Sequence, residues 1–463
     1  MGRRERFDHA VVIGGSMAGL LAARVLGDHF RRVAILERDP VHDYPESRKG
    51  QPQTRHLHGL LAAGLQTMLA YFPDLREALA AAGSYTGDMG EGMNWYTHGG
   101  YRRRLHLGMD GATMSRPFLE HLVRQRVRAL PNVSLRDNCA VRELLSTADR
   151  AQVTGVVVEQ RATSEAAELR ADLVVDCSGR ASRAPQWLEA LGYAAAPETV
   201  VQVNVGYASR LYRRDPADPR GAQWTLYTPE APAETRFAGL FPIEGDRWIV
   251  SMGGWNGDYA PADEAGFLAY ARSLPMPDIY QVISRAEPAS EIVAHRYRAS
   301  RRRHYERLDR FPDGLLVLGD ALCSFNPTYG QGMTSAAMQA QALDRLLAEG
   351  RAGLDDLAPA FFRRAAKVVD IPWQLSVGED FRFPGTVGEK PRGIDVINRY
   401  VARVHRATHH DEVVSRAFLR VMNLLAPPQS LFHPRIVWRV LRNQRSAVSR
   451  QPFAVSYQPP ASG

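Results

Sequence analysis

His9-Ala-Val-Val-Ile-Gly-Gly-Ser-Met-Ala-Gly-Leu-Leu-Ala-Ala-Arg-Val-Leu26 sets a β-branched run before a glycine turn and an Ala/Leu-rich run after it. The first part has the unbroken apolar character of a strand buried on both faces, and the second has helical composition. Gly14 permits the tight turn, Gly15 and Ser16 continue it, and Gly19 lets the helix pack close to the strand. Serine at the second fingerprint position narrows the approach of an anion to the backbone, while its hydroxyl adds a donor. Arg32-Val-Ala-Ile-Leu-Glu37 then reads as a second strand ending in a carboxylate, at the spacing where a ribose 2′-OH is read. Strand, turn, helix, strand and terminal acid in register predict a βαβ dinucleotide-binding unit. An isolated glycine turn would be an ordinary βα connection.

Far along the chain, Leu316-Val-Leu-Gly-Asp-Ala-Leu-Cys-Ser-Phe-Asn-Pro-Thr-Tyr-Gly-Gln-Gly-Met333 repeats the logic with a different order of parts. Leu315 to Leu318 reads as a short core strand, so Asp320 falls just past its end, where a carboxylate accepts from ribityl or ribose hydroxyls. Pro327, Gly330 and Gly332 shape a turn, and Thr334 to Ala348 has small and apolar residues at helical spacing. The amides near Gly332 and Met333 then point out of a helix start, which stabilises phosphate or charge developing on a ring carbonyl.

The 463 residues, 45% hydrophobic, can bury a large core and form two or three lobes. Cys139, Cys177 and Cys323 are isolated, with no C-x-x-C pair. That argues against a disulfide framework or cysteine zinc site, implies small core residues and suits a reducing cytoplasm. The basic start and the Ala10–Leu26 run imitate a signal peptide, but the Gly14–Gly19 turn gives that run another use. No other stretch approaches a membrane span. The net charge of +8 comes from arginine, lysine occurring only at 49, 367 and 390. Arg102-Arg103-Arg104 and Arg301-Arg302-Arg303 read as solvated faces, and either could also meet an anionic membrane or carrier protein. Nothing supports nucleic-acid binding.

Between the two glycine segments, Leu57 to Leu79 and Pro117 to Leu130 are helical in pattern. Val133–Leu135, Val153–Val158 and Leu173–Asp176 read as strands returning to the first sheet, the last followed by the turn Asp176-Cys-Ser-Gly-Arg-Ala-Ser182. The alternation Val201, Val203, Val205, Tyr207 opens a run of amphipathic strands, with a hairpin over Phe237 to Met252 around Glu244-Gly245-Asp246. After Ala348 the pattern is helical to about Leu441, interrupted at Phe383 to Gly393, and the last ~15 residues look like a loose tail. The expected class is α/β with an α+β second lobe, a Rossmann-like unit interleaved with an antiparallel-sheet substrate domain plus a helical C-terminal region. The nucleotide-binding domain would comprise 1–82, 115–185 and 301–350, the substrate domain 83–114 and 186–300, and the helical region 351–463.

Gly14-x-Ser16-x-x-Gly19, Glu37, the Asp176–Ser182 turn and Gly319-Asp320 occur in an order that resembles single-component FAD monooxygenases with the p-hydroxybenzoate hydroxylase fold. Arg48-Lys-Gly-Gln-Pro-Gln-Thr-Arg-His-Leu-His58, Gly245-Asp-Arg-Trp-Ile-Val250 and Phe325–Met333 are most similar to the squalene-epoxidase branch and bacterial polyether flavin epoxidases. The resemblance spans roughly residues 8 to 350. It implies FAD, with Glu37 on the adenosine ribose, Gly14, Gly15, Ser16 and Gly19 at the pyrophosphate, and Asp320 on the ribityl chain. Arg116 matches an arginine near the flavin phosphate or ribityl region, Arg48 another cofactor-side arginine, and Val141 would reach adenine through its backbone. Pro327, Gly330, Gly332 and Met333 would lie against the ring. The alternative for Arg48 and Arg116 is a surface or capping charge, and for Val141 a plain strand residue.

The resemblance implies a monooxygenase using O2 and NADPH or NADH through a flavin C4a-hydroperoxide. The expected substrate is a hydrophobic polyketide- or terpenoid-like small molecule, free or carrier-bound, with epoxidation of an alkene favoured over aromatic hydroxylation. Epoxidation needs no base, whereas phenol hydroxylation gains from one, for which His56 and His58 are the candidates. Trp95, Tyr96, Phe241, Trp248 and Trp255 could line an apolar chamber. Asp176-Cys-Ser-Gly departs from the hydroxylases' Asp-Gly, which leaves open direct reduction by NAD(P)H or supply by a partner reductase. A prenyl reductase of the geranylgeranyl type and a noncatalytic flavoprotein are the other readings. A flavin halogenase would need a Trp-x-Trp-x-Ile-Pro segment, which is absent, and a catalytic lysine.

Overall fold

The computed structural model describes residues 7–218, 223–350 and 354–447. Its centre is a five-stranded sheet in the order Leu315–Val317, Leu173–Asp176, Phe7–Ile13, Phe30–Leu36, Val133–Arg136. Every pairing is parallel. Ala10, Val11 and Val12 are fully buried, as expected for strands covered on both faces. The helix Met17–His29 follows the first strand, and Gly332–Glu349 packs beside it. All five strands therefore end on one edge, the position where ligands of open α/β sheets bind.

Val153–Val158 does not return to this sheet. It lies in a separate three-stranded antiparallel sheet, Ala166–Arg170, Val153–Gln160, Cys139–Ser146. The reason is local: short turns with Arg150 and Ser164 at positive φ connect these strands, and such turns join only antiparallel neighbours. Leu57 to Leu79 is likewise not one helix. Gly59–Leu60 pairs with Asp110–Thr113, and two helices, Ala62–Leu69 and Leu75–Ala81, follow. Pro73 separates the helices because its ring excludes the preceding residue from helical geometry.

A second, eight-stranded sheet runs Cys323–Ser324, Val293–Arg303, Glu198–Arg213, Arg247–Trp255, Arg236–Ile243, Trp224–Thr228, Met93–Thr97, Gly100–Tyr101. It is antiparallel except where Trp224–Thr228 meets Met93–Thr97. The hairpin around Glu244-Gly245-Asp246 is present, with Gly245 and Asp246 at positive φ. Helices Leu357–Asp380, Ile394–Ala407, Glu412–Met422 and Pro434–Ala447 follow. Val414, Phe418 and Leu419 share a core with Met93 and Trp95 of the large sheet. The expected loose tail lies outside the described residues.

The arginine runs are only partly solvated. Arg103, Arg104 and Arg301 are exposed, but Arg102, Arg302 and Arg303 are buried. The Arg102 guanidinium lies 3.7 Å from the Trp95 ring centroid and 4.1 Å from that of Phe418, with Nη2 2.8 Å from His405 Nδ1. Arg302 pairs with Asp370 at 2.6 Å and Arg303 with Glu198 at 2.8 Å. Strand alternation turns every second side chain inward, and the C-terminal helices cover what would otherwise be surface. Among the described residues, no helix is long and apolar enough to cross a membrane.

Candidate functional site

The carboxyl edge of the parallel sheet carries the fingerprint turn. Gly14 has φ +100°, and a Cβ there would stand 2.7 Å from the Cys177 carbonyl oxygen. A Cβ on Gly19 would stand 1.8 Å from the Gly14 oxygen, so both glycines are required by the backbone approach of helix to strand. Ser16 is the N-cap of the first helix but does not cap it with its side chain, which leaves the first-turn amides free. Its hydroxyl donates to Glu120 Oε2 at 2.9 Å and accepts from Arg116 Nη2 at 3.1 Å.

Glu120, one helical turn after Arg116, was not legible as a site residue. It is 3% exposed and also accepts from Arg48 Nη2 at 2.5 Å and Gln51 Nε2 at 3.3 Å. Burial alone would raise its carboxyl, but the charges of Arg116 and Arg48 and the bonds from Arg48 and Ser16 outweigh this and hold it below the usual range. Arg48 also lies 2.9 Å from Glu37, whose oxygens accept the amides of Gly15 at 2.8 Å and Asp39 at 3.0 Å. Glu37 Oε2 is engaged by the Gly15 amide and Arg48, whereas Oε1, which accepts the Asp39 amide, retains capacity for a further hydroxyl donor. Arg48 and Arg116, read from the sequence as separate cofactor-side charges, thus meet on one carboxylate. Arg116 Nε is buried with no acceptor among the described residues. Val141 is half-buried on the neighbouring strand, which is tied to the sheet edge by the Cys139 amide donating to Glu37 O at 2.9 Å.

Across the cleft, Gly319–Ala321 forms a single turn with Gly319 at φ +72°. Asp320 keeps exposed surface because it faces the cleft, yet the surrounding walls desolvate it and push its carboxyl above the usual range, opposed by Arg180 and Arg116. The helix Gly332–Glu349 begins at Gln331 with no side-chain cap. A Cβ on Gly332 would find nothing closer than Asp320 Oδ1 at 4.0 Å, and one on Gly330 would find nothing. Pro327 is exposed. Met333 is different: its side chain is buried in the main core, so only its amide belongs to the cleft. Asp176, the other acidic strand end, is satisfied within its own turn by Ser178 and Ser182.

The parts suit FAD. An open carboxylate on Asp320, which receives no bond from the described residues, stands beside uncapped amides and open space at Gly330 and Gly332. The buried Arg116 and the free amides after Ser16 provide donors for a pyrophosphate.

Beyond the cleft, an aromatic file lines the inner face of the large sheet. Phe383 stacks on Trp255 with centroids 4.1 Å apart, Trp255 meets Phe237 at 5.3 Å, Phe237 meets Tyr207 at 6.3 Å, and Tyr207 meets His56 at 4.6 Å. Of the five aromatics expected to form a chamber, only Trp255 belongs here. Trp248 and Tyr96 sit in a third core on the opposite face of the sheet, where alternation sends them, whereas Trp95 and Phe241 share the face of Trp255 but lie further across the sheet in a second core. His56 Nδ1 bonds Ser209 Oγ at 2.8 Å, Ser209 bonds Ser251, and Nε2 is buried with no described partner. Burial, then the charges of His295, His58 and Arg55, lower His56 to about 3. His58 Nδ1 bonds the His56 carbonyl at 2.8 Å, and burial followed by Arg116 lowers it to about 4. Both precede the short strand Gly59–Leu60. Ser209 and Ser251 were missed, though a lone hydroxyl inside an apolar strand run was the available signal.

A family model described as FAD binding domain matches residues 8–356. A curated Mycobacterium tuberculosis (strain ATCC 25618 / H37Rv) relative, Protein Rv3254, is 33% identical over 438 residues, 90% of each chain. Among solved structures, the flavin-dependent brominase Bmp2 is 14% identical with a TM-score of 0.64, covering 95% of this chain and 100% of that one. PqsL, a probable FAD-dependent monooxygenase from Pseudomonas aeruginosa, is 19% identical with a TM-score of 0.58, covering 82% and 98%. A 2-methyl-3-hydroxypyridine-5-carboxylic acid oxygenase variant is 16% identical with a TM-score of 0.60, covering 90% and 96%. At such identities these structures speak for the fold.

Proposed function

The chain belongs to the FAD binding domain family and is an FAD-dependent monooxygenase-family enzyme, and from that premise we propose that it epoxidises an alkene in a hydrophobic polyketide- or terpenoid-like small molecule. The balanced reaction is alkene, O2, NAD(P)H and a proton giving epoxide, NAD(P)⁺ and water. Bound FAD would supply the redox chemistry, passing electrons from the nicotinamide to oxygen. In this reading Asp320 holds the ribityl hydroxyls, Arg116 and the amides after Ser16 hold the pyrophosphate, and Glu37 takes a ribose hydroxyl. Pro327, Gly330, Gly332 and the Met333 amide lie along the ring, the helix start stabilising negative charge there. Val141 is proposed to border the adenine.

The observation that carries epoxidation over aromatic hydroxylation is the state of the histidines. With His56 at about 3 and His58 at about 4, both are neutral and weakly basic near pH 7. A phenol would gain little from them, whereas an isolated alkene needs only an apolar wall that excludes water. The experiment is NAD(P)H-dependent oxygen uptake against polyenes and phenols, with labelled O2 traced into product. Labelled epoxide supports the reading, labelled phenol replaces it with hydroxylation, and an unlabelled reduced product points to a prenyl reductase. Uptake only with an added reductase would support a partner, and flavin inert to every reductant would leave a noncatalytic flavoprotein.

A further inference from the structure

The C-terminal end of the long helix Leu357–Asp380 reaches the proposed flavin side of the cleft with a carboxylate. Asp380 is fully buried, and its Oδ1 accepts from Asn326 Nδ2 at 2.8 Å and Tyr329 Oη at 2.9 Å. Asn326 in turn accepts from the Thr328 amide at 3.2 Å and hydroxyl at 2.9 Å, which closes the single turn Pro327–Tyr329. One turn earlier on the same helix face, Ser376 donates to Gln331 Oε1 at 3.0 Å. Asp380 and Ser376 therefore grip both ends of the segment proposed to lie along the ring. The other carboxylate oxygen, Oδ2, and the Trp255 indole nitrogen are buried without a hydrogen-bond partner among the described residues.

We propose that Asp380 is a positioning residue for the flavin: through Asn326 and Tyr329 its carboxyl group shapes the 326–332 turn, and its charge state sets how readily the bound ring accepts electrons. This rests on the reading that the ring lies along Pro327 to Met333. The groups facing Asp380 are few. Glu379 adjoins it on its own helix but pairs with Arg382 at 3.0 Å, Tyr329 faces it from the turn, and Trp255 from the large sheet. Burial raises the carboxyl to about 7, even though the hydrogen bonds from Asn326 and Tyr329 pull it down, and Glu379 adds to the rise. A group poised there changes charge across the neutral range. When ionised, it places a negative charge behind the turn and opposes the added negative charge of a reduced ring.

The test is the reduction potential of the bound flavin, measured against a reference dye from about pH 5.5 to 8.5, for wild type, Asp380→Asn and Tyr329→Phe. Asparagine keeps an oxygen acceptor for Asn326 and Tyr329. The Asp380→Asn potential should match wild type at low pH and become progressively more positive than wild type above neutrality, a difference in which the flavin's own ionisation cancels. Tyr329→Phe removes a donor to the carboxylate, so the wild-type inflection assigned to Asp380 should move to higher pH. A difference between Asp380→Asn and wild type that is constant with pH, or a Tyr329→Phe inflection that does not move, overturns the proposal. Protein that is folded by circular dichroism yet never takes up FAD overturns the reading beneath it.

Discussion

Replacing Glu120 by glutamine removes one negative charge from the most densely paired spot beside the fingerprint turn. The side chains of Arg48, Arg116 and Arg124 around it are 4%, 10% and 5% exposed, so water cannot replace the lost partner. Removing one member of a buried ion pair costs about 3–5 kcal/mol. Glu37 still holds Arg48 at 2.9 Å, which places the expected loss at the lower end, about 3 kcal/mol. That corresponds to roughly a hundredfold change in the folding equilibrium. The assay is urea unfolding of FAD-free protein, followed by circular dichroism, at several pH values. Glu120's folded value lies below its unfolded one. Its stabilisation is therefore complete above the unfolded carboxyl value of about 4.3 and disappears as pH falls through the lower folded value. The gap between wild type and Glu120→Gln should be full at pH 7 and shrink on acidification. A variant within about 1 kcal/mol of wild type at pH 7 would refute the buried-pair reasoning. So would a gap that persists unchanged at the lowest pH where both proteins fold.

Asp320→Ala should purify with much less flavin, read from the 450 nm to 280 nm absorbance ratio; full occupancy would remove Asp320 from the ribityl contact. Gly19→Ala should give little soluble protein, because its new methyl would lie 1.8 Å from the Gly14 oxygen; a normal yield with an unchanged melting temperature would contradict the close helix approach. His56→Asn should leave the shape of the kcat/KM profile unchanged between about pH 5 and 8, because His56 at about 3 does not titrate there. Loss of an inflection near 6.5 in that variant would mean that His56 is a working base.

Both ends of the proposed nucleotide site could be read because their elements are local in the sequence: Gly14, Gly19, Glu37, Asp320 and Gly332 each belong to a strand end or helix start whose neighbours announce it. Glu120 and Asp380 could not, since a single acid in a helix looks like surface until another element covers it. Arg102 was misread for the same reason: its burial comes from Phe418, far away in the chain. Val153–Gln160 has the composition of a sheet strand, but only its hairpin partners decide which sheet it joins. The aromatic file shows the limit of alternation as a guide. It separates the two faces of a strand but not positions along one face, so Trp95 and Phe241 read like Trp255 although they belong to a different core.

The order of the parallel sheet also bears on how the protein is made. Leu173–Asp176 is flanked on one side by Phe7–Ile13, synthesised before it, and on the other by Leu315–Val317, synthesised long after. At about 5–20 residues per second, a ribosome leaves that edge unpaired for on the order of ten seconds. During this interval Val174 and Val175 have no partner on their outer side, and Asp320 has not been translated. Nascent chains should thus expose a sticky strand edge that a chaperone can shield. Loading of FAD would be confined to the finished chain, so flavin supply would govern the yield of folded enzyme after release, not during translation.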